Sequence, residues 1–193
     1  MNLHQNITAP FLLPAISLVA PSCSFHYDMV SFNGVDKRPA TKTPVPKIEI
    51  DTNTSVSTLL GGHVKSRKPY DIRAYYMDDK FTFASVEFTV VSVTYADGTN
   101  DPAAAALQLP MRFQGRLHES HNSMDGGVVV VTRSRIIDAE FPATITREEP
   151  FTLHIEGQFT KESGTVVPFR VNQKYEIYRD KRTETWVDFV SGC

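Results

Sequence analysis

The stretch FTLHIEGQF, Phe151 to Phe159, sets Phe151, Leu153, Ile155 and Phe159 on one side of an extended chain. Thr152, His154, Glu156 and Gln158 take the other side. A period of two means a strand with one buried and one wet face, and such strands belong to antiparallel sheets. The same pattern runs outward in both directions. Leu107, Leu109, Met111, Phe113 and Leu117 alternate with Gln108, Arg112, Gln114 and Arg116. Val167, Phe169, Val171, Tyr175 and Ile177 alternate with Arg170, Asn172, Lys174 and Glu176. Further strands are expected over 72–77, 81–95, 128–135, 143–146 and 185–190. In SVEFTVVSVTY the apolar face changes after Val90, which predicts a bulge or a bend between sheets. No segment sustains a 3.6-residue period, and Ala103–Ala106 is expected to make about one helical turn.

About eight strands joined by short turns need a second layer over their apolar face. The expected fold is therefore all-β: an antiparallel β-sandwich, with immunoglobulin-like architecture among its forms and a small β-barrel as the alternative. Two turns share a pattern, TYADGTNDP from Thr94 and TKESGTVVP from Thr160. Each places a glycine, Gly98 or Gly164, between alternating runs, where a two-residue hairpin turn with positive φ is expected. A phosphate-cradling loop would need a following helix, and the pattern supplies none. Pro102 and Pro168 are expected at strand edges or bulges.

The N-terminus has a different character. PFLLPAISLVAP, Pro10 to Pro21, carries no charge and is followed by Ser22-Cys23-Ser24, which reads as a signal-peptide core with its cleavage region. Ala20 and Ser22 take the small-residue positions if the cut falls before Cys23. The segment resembles the lipobox of bacterial lipoproteins, which implies that the Cys23 thiol receives a diacylglycerol. Cys23 and Cys193 are the only cysteines. They either pair as a disulfide in an oxidising compartment or, with Cys23 acylated, leave Cys193 as a free thiol. Residues 23–62, which include KRPATKTPVP, Lys37 to Pro46, are expected to form an extended tether, with IEID near Ile48 as a short strand. The folded domain is then expected over 63–193, after a signal peptide over 1–22.

Composition bounds the chemistry. Of 193 residues 41% are apolar and 22% charged, enough for a core and against global disorder. A net charge of −2 gives no overall footprint for nucleic acid, so none is expected as a partner. Lys65, Arg67 and Lys68 form the densest basic cluster and read as a solvated loop. No apolar run reaches the roughly 18–20 residues that span a bilayer.

RLHESHNSMDGG, Arg116 to Gly127, brings His118, His121 and Asp125 close in sequence. Metal binding would need the loop to fold back, and a polar hairpin tip at Gly126-Gly127 is the simpler reading, so no metal or other cofactor is expected. No G-x-S-x-G elbow occurs, and no catalytic residue is assigned. The carboxylates Asp78-Asp79, Asp138/Glu140 and Glu148-Glu149 read as solvated turn charges. Tyr75-Tyr76 must point to opposite faces, and Trp186 is the single tryptophan, which keeps a glycan or protein partner in view.

Together these features lead to an expectation of an exported, membrane-anchored cell-envelope protein with a binding or scaffolding role, a periplasmic or outer-membrane lipoprotein if bacterial and secreted otherwise. Membrane contact would run through Cys23. The alternatives are a secreted carbohydrate-active or hydrolytic module using the Arg116–Gly127 segment, and an intracellular interaction protein.

Overall fold

The alternating runs form strands, and the strands form two sheets. The structure is a computed structural model that describes residues 24–35, 44–57, 62–124 and 128–185. In chain order its strands are β1 (Ser24–Gly34), β2 (Lys47–Asp51), β3 (Ser55–Ser57), β4 (His63–Lys65), β5 (Tyr70–Asp78) and β6 (Phe83–Tyr95). A short helix, α1 (Pro102–Ala105), precedes β7 (Met111–Gln114), β8 (Arg116–Met124), β9 (Val128–Ile145), β10 (Phe151–Lys161) and β11 (Val166–Thr185). Seven strands form a strongly curled sheet in the order β3-β4-β1-β11-β10-β6-β7. The other four form a smaller sheet, β2-β5-β9-β8. The fold is all-β and two-layered, as the alternation requires. Its strand order is not the immunoglobulin one, and the β1–β4 pair is parallel, so the sheets are not purely antiparallel.

The core lies between the sheets and is rich in rings. Phe32 meets Tyr70 across the layers at 5.5 Å between centroids, Tyr76 meets Phe159 at 4.7 Å, and Phe88 meets Phe141 at 5.1 Å. Each fully buried ring contributes roughly 1.5–3 kcal/mol through area removed from water, and tilted or edge-on pairs add about 0.5–1.5 kcal/mol.

The face switch in β6 is a bulge. Val90 pairs with Glu156 while Phe88 pairs with Gly157, so Thr89 is the extra residue. Phe88 is buried before it and Val91 and Val93 are buried after it. Without the extra residue one half of β6 would turn its apolar side to water. A second irregularity explains why β9 runs through what the sequence suggests are two strands. Tyr70 and Ile72 pair with Ile145 and Phe141, which leaves an excess on the β9 side around Pro142.

Several expectations need correction. The stretch read as a tether contributes β1, β2 and β3, and β1 lies between β4 and β11 inside the large sheet. The alternation of β1 was masked because the face that buries Val30 and Phe32 at one end carries Ser24, His26 and Asp28 at the other. The folded body therefore begins by Ser24 among the described residues, and most of KRPATKTPVP lies outside them. Leu117 does not share the inner face of β7. It is 64% exposed on β8, because the chain crosses from the large to the small sheet at Gly115.

The two glycine turns have three residues and not two. Gly98 N–H donates to the Tyr95 carbonyl at 3.0 Å and Tyr95 N–H to the Thr99 carbonyl at 2.9 Å. Gly164, Lys161 and Thr165 repeat this at 2.9 and 2.8 Å. Both glycines stand at φ +81°. This is a turn closed by a glycine bulge, and the repeat is turn chemistry. Pro102 opens α1 instead of ending a strand, behind the cap residue Asp101.

Candidate functional site

The inner face of β11 changes character along its length. Phe169, Val171 and Tyr175 are buried and Ile177 packs against the core, and the same face then continues as Arg179 and Lys181. Its partner β1 changes in step. Phe32 pairs with Ile177, Val30 with Arg179, and Asp28 with Lys181. On the other side of β1, Lys65 of β4 pairs with Asp28. The large sheet thus outruns the apolar core and presents a charged row at the open end of the sandwich.

The chain after β4 closes this end. Ser66 N–H donates to the Asp28 carbonyl at 3.2 Å, and its buried hydroxyl accepts from Val30 N–H at 3.0 Å. Arg67 and Lys68 follow, and Glu148, between β9 and β10, comes in from the side. The result is a cleft of about 680 Å³ lined by Asp28, Lys65, Arg67, Lys68, Glu148, Arg179 and Lys181, with Val30 and Ser66 as its floor. Five cations face two carboxylates, an excess of three positive charges in a chain whose net charge is −2.

The carboxylates are already engaged. Glu148 accepts from the Tyr70 hydroxyl at 2.8 Å and lies 3.2 Å from Arg179 and 3.8 Å from Lys68. Burial, helped by the Glu148 hydrogen bond and charge, pushes the Tyr70 hydroxyl far above its ordinary pKa, so it stays a donor. Asp28 lies 3.8 Å from Lys181. Lys65 and Arg67 make no ion pair among the described residues. The floor has no free polar group, since Ser66 is spent on Val30. The excess charge at the rim is therefore cationic, which favours negative charge beside it. Sequence reasoning found Lys65, Arg67 and Lys68 but could not see that Arg179 and Lys181 join them across β1.

The other sequence candidates separate. His118 and His121 stand three apart on β8, a strand and not a loop, so their side chains leave opposite faces. Asp125 lies outside the described residues, as do Cys23, Trp186, Cys193 and the segment 1–22. Among the described residues no group of three or more His, Cys, Asp or Glu side chains converges as a metal site. Tyr76 packs on Phe83 and Phe159, and neither Tyr75 nor Tyr76 is exposed. Asp78 is buried and holds the turn after β5 by accepting from the N–H groups of Lys80 and Phe83. Asp138 pairs with Arg73 at 3.0 Å. The Ser24 hydroxyl is 3.2 Å from His26 Nε2, but the other ring nitrogen meets the Thr183 hydroxyl, so no acidic group orients the ring.

Comparison with protein-family models, with curated proteins and with solved structures returned no match.

Proposed function

We propose that this chain is an exported, envelope-anchored binding module whose working surface is the basic cleft at the open end of the sandwich, and whose ligand is anionic. The observation that carries this reading is the gathering of Lys65, Arg67, Lys68, Arg179 and Lys181 from two distant parts of the chain around one cleft. Like charges held together repel, so such a cluster works against folding unless a ligand or solvent relieves it. The large sheet holds it in place through β4 and β11 on either side of β1, which limits the ordering that binding must impose. The export and anchoring parts of the reading rest on the uncharged Pro10–Pro21 segment and on Cys23 behind it.

Retention on a phosphate-bearing cation exchanger at neutral pH tests the binding part. A protein of net charge −2 has no general reason to be retained at low salt, so a local basic face must cause any retention. Wild type should be held and should elute as salt screens the contact. A Lys65→Gln/Arg67→Gln variant with an unchanged melting temperature should emerge much earlier. Flow-through of wild type, or equal retention of the variant, would overturn the reading.

A further inference from the structure

We infer that the basic cleft docks on the phosphate-bearing head groups of an anionic bilayer, as a second contact beside the anchor at Cys23. The inference rests on the cleft being the working surface, as proposed above, and goes further by naming what it meets. Three observations point to a membrane surface.

The first is position. Cys23 directly precedes Ser24, the first residue of β1, and Asp28 lies on that strand within the cleft. At about 3.3 Å per extended residue, Cys23 and Asp28 are separated by no more than roughly 17 Å. A diacylglycerol on Cys23 would therefore hold the cleft end of the molecule close to the bilayer. No long tether intervenes, because the residues after Ser24 are locked into the large sheet by pairing with β11.

The second is exposure. The Lys181 side chain is 71% exposed, Arg179 54% and Lys68 49%. These side chains project from the rim, where a flat array of charges can reach them. A site built for one small buried anion would enclose its cations.

The third is the chemistry of the lining. It has no aromatic side chain to stack on a base or a sugar ring, and its floor hydroxyl is occupied. Charge is the one property the cleft can read. A polybasic patch beside a lipid anchor is a recognised further signal for an anionic surface, and here it would fix which face of the anchored molecule meets the bilayer. Each Lys or Arg near an anionic surface adds modestly, and the sum falls off within a Debye length.

Sedimentation of the full chain carrying Cys23→Ser, which cannot be acylated, with vesicles of defined composition tests the inference without depending on the anchor. Vesicles containing phosphatidic acid should bring the protein down at low salt, while purely zwitterionic vesicles should not. Lys65→Gln/Arg67→Gln should weaken that binding by roughly thirtyfold. Soluble glycerol phosphate at equal phosphate concentration should compete poorly, since it offers single charges in place of an array. Retention on the phosphate exchanger without vesicle binding would sink the membrane inference and leave the anionic-ligand reading standing. Strong competition by soluble glycerol phosphate would also overturn it, by showing a site for free phosphate monoesters. Failure to bind both exchanger and vesicles would remove both readings.

Discussion

At Gly98 and Gly164 an added β-carbon would meet no atom within 4 Å, yet both positions resist substitution because the backbone stands at φ +81°. The cost of a side chain there is purely conformational, about 1 kcal/mol or more. Gly164→Val should therefore lower the melting temperature more than Thr165→Val, which keeps a β-branched residue where the strand resumes. Equal melting temperatures would show that the turn does not need its glycine.

Asp101 is a second residue with a disproportionate role. It is fully buried and caps α1 through Ala103 N–H at 2.9 Å. It also accepts from the Tyr95 hydroxyl and from the N–H and hydroxyl of Thr146, both at 2.8 Å. Burial pushes its carboxyl pKa up, but these hydrogen bonds outweigh that, and the group titrates below its ordinary 3.8. A depressed folded value means that its stabilisation is present above about pH 4 and is lost as pH falls through that lower value. Asp101→Asn should melt below wild type at pH 7, and the gap should narrow in acid. A gap that stays constant down to pH 2 would contradict an ionised, hydrogen-bonded carboxylate.

Among the elements, β6 carries the most specific prediction. Thr89 itself contributes little, one hydroxyl bond at 3.3 Å to the Glu156 carbonyl, so Thr89→Ala should be nearly neutral. Deleting Thr89 should abolish cooperative unfolding, because either Val86 and Phe88 or Val91 and Val93 must leave the core. A deletion variant that melts like wild type would show that β6 tolerates another register. The opposing strand is adapted to the bulge. A β-carbon on Gly157 would stand 2.4 Å from the Glu87 carbonyl oxygen and 2.7 Å from the Phe169 ring.

This bulge was legible in the sequence, since the apolar residues of β6 change parity in plain view. The strands β5, β10 and the first part of β11 were legible for the same reason: one face is wet throughout. β1 was not, because it faces the core only at Val30 and Phe32 and faces the cleft at Asp28. A strand that serves two environments shows no single alternation. The site was half legible. Lys65, Arg67 and Lys68 are neighbours in sequence, but Arg179 and Lys181 reach them only through the pairing of β4 and β11 on either side of β1. No local pattern encodes that pairing.

For the molecule as a whole, the central claim is that one end of the sandwich is its working end, and that the chain is anchored there. The anchored part predicts a mature protein starting at Cys23 with the mass of a diacylglycerol adduct. Intact Met1 in protein recovered from its natural source would contradict export. The working-end part is tested most directly by NMR, following the backbone amides of labelled protein as short-chain phosphatidic acid is added. The account predicts the largest changes at Asp28–Val30, Lys65–Lys68, Glu148 and Arg179–Lys181, with His118 and His121 on β8 unmoved. Changes centred on β8, or none at all at the cleft, would contradict it.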